Sequence, residues 1–243
     1  MRYAELRRPK GHRAVRLRPL GLATAAGTVL LAAAALAAAY GDSPKRAREG
    51  TVSAADLLAK VRSCDRISDG LYRTDAESAA TIPVCGLKGA VFWKADMDVD
   101  CDGLRTEHCN EDRDPWYQDD TAFHQSDGRP LRADTLPYVV VPGKSALWDH
   151  AAAGIEGGGV VAVVHGDQVE YAVVGDTGPK EIIGEASYAT AEALGIDPDP
   201  ATGGAESGVT YILFKDSLVS PVESHGAAVA LGDRLAREFL AGN

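Results

Sequence analysis

Val160-Val161-Ala162-Val163-Val164-His165-Gly166-Asp167-Gln168-Val169-Glu170-Tyr171-Ala172-Val173-Val174 decides the fold class of this chain. Two runs dominated by β-branched residues flank a short polar segment that contains glycine, which predicts a β-hairpin. Outward from it, Tyr138-Val139-Val140-Val141 stops at Pro142-Gly143, and Val209-Thr210-Tyr211-Ile212-Leu213-Phe214 supplies another strand. Between Ile82 and Val99, apolar runs broken by Gly86 and Gly89 predict short strands. Helices are expected after Ser53, where Leu57, Leu58 and Val61 recur at helical spacing, over 186–194 after Glu185, and over 225–240. Residues 102–135 are rich in Asp, Arg, Pro and Gly and read as a long loop. The prediction is a mainly β chain with a few helices (α+β), arranged as a small barrel over residues 53–243.

The first 48 residues have another character. Seven Lys/Arg against Glu5 occupy residues 1–18, and an uncharged apolar run follows from Leu20 to Ala39. Basic head, apolar middle and small residues before Tyr40 predict a secretory signal over residues 1–40, with an uncleaved anchor as the alternative, because about 20 apolar residues span a bilayer. Residues 41–52 read as a linker. Residues 1–48 hold ten Lys/Arg and two acids of the chain's 25 and 35, which leaves 15 bases and 33 acids beyond, a net charge of −18. Such a surface repels nucleic acid and anionic lipid and attracts polycations. The expectation is a secreted, extracellular monomer without nucleic-acid or membrane partners.

Cys64, Cys85, Cys101 and Cys109 all lie in the exported part, and an even count there predicts two disulfides. Of three pairings, Cys64–Cys85 with Cys101–Cys109 is favoured because both close local loops. The spacing does not suit a zinc site.

Two acidic segments carry candidate chemistry. Asp96-Met97-Asp98-Val99-Asp100-Cys101-Asp102-Gly103 places carboxylates at alternate positions, one face of a strand at period two. Read instead as a loop, Asp98, Asp100 and Asp102 with Gly103 match the opening of a calcium loop, although Cys109 stands where the bidentate Glu belongs. No cofactor is otherwise expected. In the second segment, Asp176 follows a strong strand in Val173-Val174-Gly175-Asp176-Thr177-Gly178, and Glu185 follows Ile182-Ile183-Gly184. A short return loop brings two such carboxylates to opposite walls of a groove, the requirement for glycosidic cleavage, where one protonates the leaving oxygen and the other activates water. Ordinary turn chemistry explains the same residues by spacing alone. His165 and His225 show no partner in the sequence and read as turn or surface residues.

Phe92-Trp93-Lys94-Ala95-Asp96-Met97-Asp98-Val99-Asp100-Cys101-Asp102-Gly103, followed by Gly175-Asp176-Thr177 and Gly184-Glu185-Ala186-Ser187, resembles the chitosanases of glycoside hydrolase family 75. The likeness covers most of residues 53–240. It implies internal hydrolysis of β-1,4 links in chitosan with inversion, with the essential pair falling on Asp176 and Glu185. Asp96, Asp98, Lys94, Thr177 and Trp93 are the substrate contacts expected from it, and chitosan, a cationic polysaccharide, is the partner. Trp116 and Tyr171 are further aromatics that suit sugar stacking, and for each of the three, Trp93 included, burial in the core is the competing reading. More faintly, Asp176-Thr177-Gly178 resembles the Asp-Thr-Gly motif of double-psi β-barrels, which implies a six-stranded double-psi-like barrel with flanking helices and Asp176 as the general acid. The competing readings are a non-catalytic, calcium-stabilised wall- or polysaccharide-binding module and a lytic enzyme acting on peptidoglycan. The acidic surface argues against the latter, because wall polymers are largely anionic.

Overall fold

The computed structural model describes residues 49–243; the expected signal over 1–40 and most of the linker lie outside them. Among the described residues no helix is long and apolar enough to cross a membrane.

The elements run α1 (Ala54–Lys60), β1 (Asp65–Arg66), β2 (Cys85–Leu87), β3 (Ala90–Asp100), β4 (Tyr138–Pro142), β5 (Val160–His165), β6 (Gln168–Gly178), β7 (Glu185–Ser187), α2 (Tyr188–Ala193), β8 (Ala205–Phe214) and α3 (His225–Gly242). Six strands close a ring in the order β3-β7-β4-β6-β5-β8, sealed by the β3–β8 pairing, and β1 and β2 extend from the first half of β3. The barrel expected from the sequence is therefore present. Two pairings in the ring are parallel, β3 with β7 and β4 with β6. The hairpin read from 160–174 forms β5 and β6, with His165 opposite Gln168 across Gly166 and Asp167.

Alternation sorts the side chains. Val91, Trp93, Val99, Val139, Val161, Ala172, Val174, Tyr211 and Leu213 form the barrel interior. Their neighbours Phe92, Val140, Ala162, Tyr171, Val173 and Phe214 face outward and are covered in part by Leu57 of α1 and by Ala228, Ala236 and Phe239 of α3. Burying this much branched apolar surface, at about 25 cal/mol per Å², is the main force holding the ring closed. Ser53 caps α1 by accepting the Asp56 amide at 3.1 Å, as its sequence position predicts.

Three elements depart from the sequence reading. Residues 90–100 make one eleven-residue strand rather than short pieces, because Gly89 provides only the turn into it. Glu185 opens the short strand β7 rather than a helix; the helix starts three residues later, with Ser187 as its cap. His225 is not partnerless: its Nε2 lies 3.0 Å from a carboxylate oxygen of each of Glu49 and Glu170. The long loop 102–135 has no strand of its own, and Cys101–Cys109 staples its start while Cys64–Cys85 ties the α1 segment to β2.

Candidate active site

A single irregularity of β6 sets the position of Asp176. Val139 pairs with Val174, yet Val140 pairs with Asp176, so Gly175 is an extra residue in β6. Strict alternation after Ala172 and Val174 would turn residue 176 into the barrel. The bulge turns it to the outer face instead, a common use of bulges beside functional sites. Only glycine fits there, since a Cβ on residue 175 would stand 2.5 Å from Tyr138 Cβ and 2.8 Å from Leu131 Cδ1.

Glu185 reaches the same face from another strand. It pairs with Val140 on one side and with Asp98 on the other. Asp98, Glu185, Val140 and Asp176 therefore form one row across β3, β7, β4 and β6. The two carboxylates of the candidate pair are separated by β4 alone, two strand spacings or about 10 Å between backbones. Side chains close part of that gap, because Glu185 Oε2 leans over Val140 toward Gly178.

Both groups are well covered, with 4% of Asp176 and 8% of Glu185 exposed. Loop 102–135 supplies part of the cover. Asp176 Oδ1 accepts the amides of Ala122, at 2.8 Å, and of Thr177, at 2.6 Å. Burial raises the Asp176 pKa to about 6, opposed by these two amides and reinforced by the negative charges of Glu185 and Asp120. Electrostatically, then, Asp176 and Glu185 belong to one site. Carboxylate oxygens of Asp100 and Asp102 lie within 4.8 Å of one on Asp176 and of each other. Burial, and after it the Asp100 charge, pushes Asp102 up to about 9, so it holds its proton at neutral pH. Its Oδ1 accepts the Gln118 amide at 2.7 Å, which fastens the loop to the site.

The structure brings together some of the residues expected from the sequence and separates others. Asp96 and Asp98 lie on the outer face of β3 beside Glu185, but only 5% and 7% exposed. Lys94 is exposed two residues before Asp96, and Thr177 is half-buried next to Asp176. Trp93 corrects the expectation of a sugar platform. It points inward, is fully buried, and stacks on Tyr211 with 5.5 Å between ring centroids. Tyr171 is likewise buried, whereas Trp116, 44% exposed, is the open aromatic on the stapled loop. The calcium-loop reading does not fit, because β3 continues through Asp100 and Asp98 is registered with Glu185; the carboxylate that gathers with Asp100 and Asp102 is Asp176. Sequence reading missed Ala122 and Asp120, whose loop carries no periodic signal.

A family model described as "Fungal chitosanase of glycosyl hydrolase group 75" matches residues 97–238, a span that includes Asp98, Asp176 and Glu185. The chain belongs to glycosyl hydrolase group 75. Similar proteins include an endo-chitosanase of Aspergillus fumigatus, 32% identical over 53% of this chain and 60% of the relative. Endo-chitosanase B of Aspergillus oryzae is 33% identical over 58% of this chain and 67% of its own length. The chain thus spans about three fifths to two thirds of these group 75 relatives. The group 75 match begins inside β3 and takes in the rest of the barrel and most of α3, so the acidic row lies within it.

Proposed function

We propose that this group 75 protein is a secreted endo-acting glycoside hydrolase that cleaves β-1,4 bonds of chitosan with inversion. The observation that carries the proposal is the row itself. Asp176 and Glu185, in register with the same residue of β4, present two carboxylates to one outer face. An inverting pair works with its carboxyls about 6.5–9.5 Å apart, leaving room for water beyond the sugar ring. Two strand spacings, shortened by the lean of Glu185, agree with that interval.

Asp176, with its proton affinity raised by burial, is the general acid and protonates the leaving glycosidic oxygen. Glu185 accepts a proton from the water that attacks the anomeric carbon from the opposite side. The C–O bond to the leaving sugar breaks as the bond to water oxygen forms, which inverts the configuration. Chitosan carries ammonium groups, and a domain of net charge −18 draws it in. Asp96, Asp98 and Thr177 are the contacts proposed nearest the bond, with Lys94 and Trp116 toward the rim.

The test is hydrolysis of chitosan by the purified protein, followed by proton NMR of the first anomeric products and by product size. Internal cleavage with initial α-anomers is expected. Asp176→Asn and Glu185→Gln should each lower kcat at least about 10³-fold while circular dichroism stays unchanged. Near-normal turnover by both folded variants would remove the assignment.

A further inference from the structure

A second cluster stands apart from the acidic row. Glu49 precedes α1, Glu170 lies near the start of β6, and His225 is the first residue of α3. Five residues of β6, six steps or roughly 20 Å of strand, separate Glu170 from Asp176. His225 Nε2 is 3.0 Å from Glu49 Oε1 and 3.0 Å from Glu170 Oε1, and the three atoms lie within 4.8 Å of one another.

Both contacts are of ion-pair length, but neither has the alignment of a good hydrogen bond. His225 Nε2 and Glu170 Oε1 are both buried atoms without a well-aligned hydrogen-bond partner. Glu170 is 4% exposed, and a carboxylate that buried is normally hydrogen-bonded. Metal coordination has the observed shape. With ligand distances of about 2.1 Å, the nitrogen–metal–oxygen angle near 90° of octahedral or tetragonal coordination sets nitrogen and oxygen about 3.0 Å apart.

The surroundings also suit a cation. Glu49 Oε2 accepts the Tyr171 amide at 3.0 Å, which fixes the direction of Oε1, as outer partners commonly fix metal ligands. A cavity of about 460 Å³ opens beside the cluster, lined by Glu49, Glu170, His225, Asp134 and Glu192 with no Lys or Arg among its lining residues. It supplies an access path and space for water ligands. Two carboxylates and a neutral imidazole would leave a site neutral once a divalent ion is bound. We propose that Glu49, Glu170 and His225 hold a divalent first-row transition-metal ion, which ties the segment leading into the domain to β6 and α3. The imidazole ligand selects such an ion over calcium or magnesium.

The experiment uses the full chain, stripped with EDTA and titrated with Zn²⁺ by calorimetry and by thermal melting. One saturable site and a rise in Tm of several degrees are expected. His225→Ala should weaken binding at least about 100-fold, and Glu170→Gln at least about 10-fold, with both effects on Tm lost in proportion. Circular dichroism in EDTA verifies the fold of each variant. Absence of saturable Zn²⁺ binding by the wild-type chain overturns the proposal whatever the variants do. Binding at wild-type strength by either folded variant overturns it as well.

Discussion

Glu185 Oε2 lies 2.7 Å from the point where a Cβ on Gly178 would stand, and Val140 Cγ1 lies 3.0 Å from that point. The missing side chain at 178 is the space the Glu185 carboxylate occupies. Gly178→Ala should displace that carboxylate by a fraction of an ångström to an ångström, a shift that can cost about 100-fold in rate. The expected result is a kcat on chitosan lowered 10- to 100-fold, KM changed less than threefold, and Tm within a few degrees of wild type. A Gly178→Ala enzyme with unchanged kcat would show that Glu185 does not act from this position.

The proton on Asp176 sets a limit on pH. Its pKa of about 6 means that the acid form disappears as pH rises through that value, so kcat/KM should fall with an alkaline limb near pH 6. Removing the Asp120 charge, one of the negative groups that raises Asp176, should move this limb toward lower pH. A pH profile of Asp120→Asn against wild type reads the shift directly.

Stability follows the same group with the opposite benefit. The folded pKa lies above the ordinary value of 3.8, so the folded state binds the proton more tightly than the unfolded one. Below about pH 4 both states are protonated and there is no penalty. Between about pH 4 and 6 the fold loses stability, and above 6 the loss is constant at about 3 kcal/mol at most. Asp176→Asn should therefore melt several degrees higher than wild type at pH 7, with the difference vanishing near pH 3.5. Thermal denaturation across that range checks it.

Trp93 and Trp116 should separate cleanly. Truncating Trp93 to Ala empties a core position against Tyr211 and Trp148 and should cost about 3–5 kcal/mol of stability. Trp116→Ala, on an exposed ring, should leave Tm nearly unchanged and raise KM for long chitosan chains. Urea unfolding and initial rates measured side by side distinguish the two.

The Cys101–Cys109 link should matter to activity through the longer loop whose start it staples. Replacing both cysteines with Ala should lower stability by about 2–3 kcal/mol, the usual cost for opening a small loop. It should also lower kcat, because the link anchors the start of loop 102–135, which further on brings the Ala122 amide to Asp176 at 2.8 Å. Comparison with the Cys64/Cys85 double variant, whose link lies off the acidic row, isolates the second effect.

How much of this was readable before folding depends on the range of the interaction that decides each element. The β5–β6 hairpin and β8 declare themselves through local runs of Val, Ile and Tyr, and the Ser53 cap needs only its own turn. β7 does not. Glu185-Ala186-Ser187 has no strand signature, and becomes a strand only because β3 and β4 flank it. The alternating aspartates of β3 leave a strand and a metal loop both open in the sequence, since charge at period two is legible but its partner strands are not. Asp176 and Glu185 were marked by resemblance rather than by spacing, and neither the Gly175 bulge nor the shared neighbour Val140 has a local signal. His225 meets Glu49 across 175 intervening positions of chain, a distance no pattern reading spans.

The extra residue at Gly175 has a consequence for how such chemistry arises and is lost. A wall of paired strands assigns each position to one of two worlds, dry or wet, by counting from the last regular pair. Were Gly175 to pair regularly with Val140, the two residues after it would change sides, sending the Asp176 carboxylate into oil and turning Thr177 outward, with no change in the residues themselves. The reactivity of this surface is thus a matter of parity, written in how the strands are counted off before it is written in side chains.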